Sequence, residues 1–302
     1  MTFSTEALDL VLTGGYRRAL DFFELTKPRI TLMVLVTTFV GFYLGSHSIP
    51  EYFRLIQTLL GTALAASGTL ALNQFLERDA DAAMERTRRR PLPEGRVQPT
   101  EALIFGVVLT VSGLLALWLT VNALSALVTA AIVASYLFIY TPLKQKTSLC
   151  SVVGAVPGAL PPVIGWAAAR GAIEAGAWAL FAIMFLWQIP HTLAIARLYR
   201  EDFARAGIRF LPVIEPDGRS TGRQILTNCL ALLAVSLLPT LLQVAGYLYF
   251  LAAFLLGALF LGCGVGLAIA QSSGAARRLL FVSLIYLPVL LAVMALDRIP
   301  LQ

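Results

Sequence analysis

Between Glu101 and Lys144 the chain carries no charged residue, and it carries none again between Arg223 and Arg277. These runs are long and apolar instead of alternating, so they read as helices that satisfy their own backbone groups in lipid, not as barrel strands. A membrane span needs about 20 such residues. That ruler divides the chain into nine spans, at roughly 28–46, 55–76, 101–119, 123–140, 149–168, 177–196, 224–243, 246–270 and 279–296. Charged residues make up only 13% of the chain, where a soluble domain has about 25%. Mean hydropathy is +0.79. The expected fold class is therefore all-α: a polytopic membrane protein with about nine transmembrane helices.

The basic residues orient the spans. With the N-terminus inside and the C-terminus outside, only Arg54, Arg170 and Arg298 of the 23 lysines and arginines fall in outer segments. Basic residues gather in this way on the inner side of a membrane. The pI of about 9.5 then reports topology, not nucleic-acid binding. In a bacterial cell the inner side is the cytoplasm and the membrane is the inner membrane. Residues 1–27 read as an N-terminal cytoplasmic or interfacial segment, and 28–302 as one intramembrane domain. The N-terminal segment lacks the apolar block of a signal peptide; Tyr16 to Leu25 suit a short surface helix. Lys27 and Arg29 are expected to snorkel into the headgroups. Cys150, Cys229 and Cys263 stand alone in apolar runs and read as buried hydrophobes.

Two inner loops, after the second and sixth spans, open on acids: Glu77, Asp79, Asp81 and Glu85 in one, Glu201 and Asp202 in the other. Asn73, Glu77 and Asp81 are four residues apart, which on a helix makes one stripe, with Asp79 pointing elsewhere. One amide and two carboxylates offer only oxygen, a set suited to Mg²⁺ that also takes substrate phosphate. Arg86 to Arg90, with Lys144 and Lys146 from the next inner loop, can grip phosphate directly. Carboxylates repel a diphosphate unless a divalent ion lies between them, so acids and arginines together suit a metal–diphosphate complex. An ordinary solvated helix end followed by inner-side arginines is the plain alternative.

The stretch LNQFLERDADAAMERTRRRPLPEGR resembles the first aspartate-rich motif of UbiA-type intramembrane prenyltransferases. The resemblance continues in ELTKPRI, in YTPLKQKTSLCSVVGAVPGALPPVIGW and in WQIPHTLAIARLYREDFARAGIRFLPVIEPDGR, covering residues 24–219 in the family's order. It implies an Mg²⁺-dependent enzyme. Asn73, Glu77 and Asp81 fall on the first diphosphate motif, and Glu201 and Asp202 on the second, with Gly207 beyond it. Metal ligands would be Asn73, Glu77, Asp81 and Asp202. Arg86, Arg90, Lys144 and Lys146 fall at diphosphate-binding positions, and Lys27, Arg29 and Tyr199 join the substrate-binding set. Gln74 and Glu77 stand where the wider superfamily has aspartates, as do Tyr199 and Phe203 in the second motif, a reduced form that resembles the family's haem-directed branch. That branch implies farnesyl diphosphate as donor, haem B as acceptor and haem O as product, with a hand-over to a haem A synthase or to terminal oxidase assembly.

His191 lies inside the sixth span, where an ionisable residue marks a functional site by default. Its imidazole could ligate haem iron, and Trp187, one turn earlier, could stack on a porphyrin; a histidine bonded to a neighbouring helix and an aromatic core filler are the plain readings. Pro157, Pro161 and Pro162 should kink the fifth span. Gly154, Gly158 and Gly165 would leave room for a flat ring there, or simply allow a bent helix to pack closely. A quinone-type aromatic acceptor and a transporter remain as rival readings.

Overall fold

The computed structural model describes residues 5–47, 50–215 and 217–300. Among them, nine helices are long and apolar enough to cross a membrane: Pro28–Gly45, Tyr52–Ala83, Pro99–Thr120, Ala123–Leu143, Cys150–Arg170, Ala175–Leu198, Arg219–Leu241, Tyr247–Ala270 and Ser273–Leu296. Each matches an expected span. The second runs further than the hydropathy suggested, because Leu76 to Ala83 contains good helix formers and no breaker. The whole acidic stripe is therefore helical. The expected surface helix is also longer, Thr5–Leu25. Its exposed Tyr16, Leu20 and Phe23 suit an interfacial position, while Leu25 is sealed and Phe22 packs edge-on against Phe105. Residues 1–4 of the expected N-terminal segment, and 301–302 at the other end, lie outside the described residues.

Lipid tails provide no hydrophobic drive between helices, so close backbone approach must. The second and third spans meet through Gly61, Gly68, Gly106 and Gly113; a Cβ on Gly68 would overlap the Thr110 backbone. The first and fifth spans meet as tightly: a Cβ on Gly41 would strike the Pro162 carbonyl, and one on Gly165 the Thr38 carbonyl. Trp166, Tyr249, Phe260 and Tyr286 fill the core.

Two spans are irregular. The fifth breaks at Leu160 between Cys150–Ala159 and Pro161–Arg170, as Pro161 and Pro162 lack the N–H that would continue the ladder. Gly154 faces the Tyr140 ring and Gly158 the Gln188 side chain, and both glycines also line the apolar cavity described below. The fourth widens into a π-helix over Ser135–Tyr140, just before Pro142. Single π turns concentrate at functional sites, and this one carries two tyrosines. Cys150 and Cys229 are buried and all three cysteines are free.

Candidate active site

The acidic stripe lies where the second span leaves the bundle, and each member has a basic or hydroxyl partner. Asn73 is 1% exposed. Its Oδ1 accepts from Lys27 Nζ at 3.0 Å and, at 3.5 Å, from the Tyr136 hydroxyl; its Nδ2 donates to Thr141 Oγ1 at 3.1 Å. Lys144 Nζ donates to Glu77 Oε1 at 2.6 Å and lies 4.5 Å from the centre of the Tyr140 ring. Asp81, 2% exposed, accepts from Arg90 Nη1 at 2.6 Å. Asp79 points outward to Arg78, as helical spacing requires.

Local backbone explains how these groups converge. Lys27 adopts a left-handed conformation (φ 47) immediately before Pro28, the first residue of the first span. Proline disfavours the ordinary helical region for the residue before it, and the reversed turn sends Lys27 inward to Asn73. This corrects the snorkelling expectation for Lys27; Arg29 is exposed. The π turn places Tyr136 and Tyr140 on one face, ring centres 5.4 Å apart.

The two lysines respond in opposite ways. Burial, then the nearby Arg90 charge, pushes the Lys27 amine down to about 7. Burial works against the Lys144 charge too, but Tyr140 and Glu77 outweigh it and hold this amine above the usual lysine value.

Above the charged cluster is a cavity of about 240 Å³. Tyr136 and Tyr140 line it, with Val34, Ala65, Leu70 and Ile164 among its apolar walls and Thr62 adding a hydroxyl. From Thr62 to Asn73 the helix rises roughly 16 Å. Tyr136 and Tyr140 join the two regions, since each touches the charged cluster and lines the apolar cavity.

The second motif joins less completely. Asp202 Oδ1 accepts from the Glu85 backbone N–H at 3.3 Å, and Arg205 pairs with the same carboxylate. Both inner loops thus meet at one end of the bundle, as an even number of intervening spans requires. Glu201 is exposed on the short helix Arg200–Arg205, which does not turn it toward the stripe. Arg86 lies over the rings of Tyr199 and Phe203, at 5.4 and 5.7 Å, and so braces the two loops. Lys146 is exposed, whereas Lys144 is enclosed. Gln74 turns away and donates to the Leu25 carbonyl at 2.9 Å, anchoring the N-terminal helix. Among the described residues no three acids, histidines or cysteines form a metal cluster, so the four expected metal ligands are not gathered as one shell. Tyr136, Tyr140 and Thr141 were missed as site residues; the spacing YLFIYTPLK, with aromatic residues leading to Lys144, is the trace they leave.

His191 bonds Ser283 of the ninth span and stacks on Trp187. Both side chains are engaged in the contact between the sixth and ninth spans.

The model of the UbiA prenyltransferase family matches residues 34–285. A protein named protoheme IX farnesyltransferase from Solibacter usitatus is 50% identical, covering 92% of this chain and 98% of its own. One of the same name from Myxococcus xanthus is 44% identical, covering 93% and 96%. Among solved structures, digeranylgeranylglyceryl phosphate synthase superposes with a TM-score of 0.79 at 16% identity, over 93% of this chain and 98% of that one. A UbiA homolog from Archaeoglobus fulgidus bound to GPP and Mg²⁺ has a TM-score of 0.63 at 16% identity, over 91% and 99%. Those two structures are likenesses of fold.

Proposed function

The chain belongs to the UbiA prenyltransferase family, and we propose that it transfers the farnesyl group of farnesyl diphosphate to a vinyl group of haem B, with addition of water, giving haem O. The observation that carries this reading is the charged cluster joined by Tyr136 and Tyr140 to an apolar cavity, beside near-full-length relatives named for that reaction. The tail lies in the cavity, and its diphosphate lies among Lys27, Arg90 and Lys144.

The donor set fits Mg²⁺. Asn73 Oδ1, Glu77 and Asp81 offer only oxygen from one helix face, and Asp202 adds a carboxylate from the other loop. One or two carboxylates with diphosphate oxygens and water complete an Mg²⁺ shell, so a preformed cluster of three is not needed. When bound, the ion neutralises the diphosphate and eases its departure. The chain's own cations do the rest. Lys27, Lys144 and Arg90 turn from their present acidic or amide partners to phosphate oxygens and stabilise charge as the C1–O bond breaks with its electron pair leaving on diphosphate. The vinyl π electrons then form the new bond to C1. The cation left next to the porphyrin takes water and releases one proton. The apolar wall keeps water from C1 before that bond forms, and the Tyr136 and Tyr140 ring faces favour a nearby positive charge. No nucleophile or general base is required. The active site would face the cytoplasm of a bacterial cell, and the product would pass to a haem A synthase or to terminal oxidase assembly.

Purified protein with haem B, farnesyl diphosphate and Mg²⁺ should yield a haem whose mass has risen by one farnesyl group plus hydroxyl. Unmodified haem beside a prenylated aromatic acid would retire the proposal.

A further inference from the structure

A second cavity, of about 450 Å³, lies at the inner end of the second and fourth spans and has no occupant in the steps above. Leu76, Glu77 and Ala80 line it from the second span, and Leu137 and Phe138 from the fourth. Lys144 and Gln145 of the next loop, and Ile208 of the loop beyond the sixth span, complete it.

Size separates the two cavities. The apolar one, at about 240 Å³, already takes the farnesyl tail. Pockets for small molecules span about 300–1,000 Å³, so the first has no room for a macrocycle as well, whereas the second falls within that range. Yet little lies between them. Tyr140 lines the first and Lys144 the second, and Lys144 Nζ is 4.5 Å from the centre of the Tyr140 ring. The Lys144–Glu77 pair, at 2.6 Å, thus belongs both to the charged cluster and to the wall of the second cavity.

Polarity changes along this cavity in one direction. The fourth span runs toward the inner face, so Leu137 and Phe138 lie deepest and Gln145 nearest the surface. Leu76 and Phe138 are 48% and 74% exposed, which leaves the deep part open to the bilayer. At the inner rim two exposed cations, Lys146 and Arg209, follow Gln145 and Ile208 in sequence. The rim is tied together: the Arg209 backbone N–H donates to the Lys144 carbonyl at 2.8 Å, and Arg209 Nη1 donates to the Lys146 carbonyl at 3.4 Å. Asp79, also on the wall, has Arg78 beside it at 3.7 Å. Haem B is graded in the same sense, with an apolar vinyl edge opposite two anionic propionates.

We propose that the second cavity is the docking site of the haem acceptor, entered from the bilayer, with the propionates at Lys146 and Arg209 and the vinyl edge inward beside Thr141 and the Lys144–Glu77 pair. The proposal rests on haem B being the acceptor. As diphosphate draws Lys144 from Glu77, the partition opens and the vinyl carbon meets C1 of the donor. Lys146, expected at the diphosphate, serves the other substrate instead.

The test measures KM for both substrates with the full chain in detergent. Ala80→Leu enlarges the cavity wall and should raise the KM for haem about tenfold or more, leaving that for farnesyl diphosphate unchanged. Phe138→Ala removes an exposed ring from the same wall and should raise the haem KM alone, about fivefold. Lys146→Gln combined with Arg209→Gln should raise the KM for haem about fivefold, but not that for haem dimethyl ester, whose propionates are neutral. Folded variants of the wall that keep the wild-type haem KM, or that raise both KM values equally, would overturn the site. Equal losses for haem and its ester, or a loss confined to farnesyl diphosphate, would remove the rim cations from haem recognition. A phospholipid that co-purifies with wild type and is lost from Ala80→Leu, with haem kinetics unmoved, would assign the cavity to lipid. Failure of wild type to alter haem at all would instead remove the proposed function, and this inference with it.

Discussion

Asp81 is almost wholly enclosed, and the Arg90 guanidinium is its partner at 2.6 Å. Breaking a buried pair by deleting one member costs about 3–5 kcal/mol, so an alanine here would confuse folding with chemistry. Asp81→Asn keeps the shape and an acceptor for Arg90. It should reduce turnover about 100-fold or more, with the protein still monodisperse in detergent and melting a few degrees lower; turnover near wild type would remove Asp81 from the site. The stripe was legible because helical spacing is local: four-residue steps place Asn73, Glu77 and Asp81 together whatever the rest of the chain does. Their partners were not. Lys144 pairs with Glu77 across 67 positions, and Lys27 reaches Asn73 across 46, distances no periodicity encodes. Lys146 resembles Lys144 on paper, yet only the structure distinguishes the enclosed amine from the exposed one.

At the scale of elements, small residues decide which helices touch. Gly41→Ala should destabilise the protein by about 1–3 kcal/mol, the usual cost of overpacking, because the added methyl meets the Pro162 backbone and not a movable side chain. A thermal melt in detergent that matches wild type would contradict that packing. The seventh span has a different support. Glu215 accepts from the backbone N–H of Ser220 at 2.8 Å and of Thr221 at 3.0 Å. Burial alone would raise its carboxyl, but these hydrogen bonds prevail and hold it below the usual value. A carboxylate lowered on folding contributes stability above its unfolded value, and loses it as pH falls through the folded one. Glu215→Gln should therefore lower stability at neutral pH by up to about 1 kcal/mol of capping, less for a solvent-screened carboxylate, read as a lower melting temperature. The gap between variant and wild type should close as the pH drops below the ordinary carboxylate range. A gap that stays constant across that range would mean the charge is irrelevant. Prolines announced the break at Leu160, because a missing N–H is a property of the residue. The π turn had no such herald: its register is set by how the fourth span packs, and only the YLFIY tyrosines hint at it.

At the scale of the whole molecule, the nine spans found among the described residues were readable from the sequence, since the solvent imposes them everywhere at once. Depth of the site was not, since it depends on loops from the second, fourth and sixth spans meeting at one mouth. That mouth supplies the test of the metal: a chelator should abolish farnesyl transfer, and Mg²⁺ added in excess should restore it. Full turnover in the chelated protein would discard the metal reading.

The mutual neutralisation of the mouth has a selective consequence. With each acid already matched to a base, an arriving donor must replace three existing partnerships simultaneously, or the exchange is uphill. A diphosphate complexed with a divalent ion offers both signs and enough oxygens for this; a single phosphate does not. Farnesyl monophosphate should compete at least tenfold less well than a non-hydrolysable farnesyl diphosphate analogue, a margin of about 1.4 kcal/mol. Equal competition would mean that the apolar tail alone selects the guest, and that the ionic lock merely watches it enter.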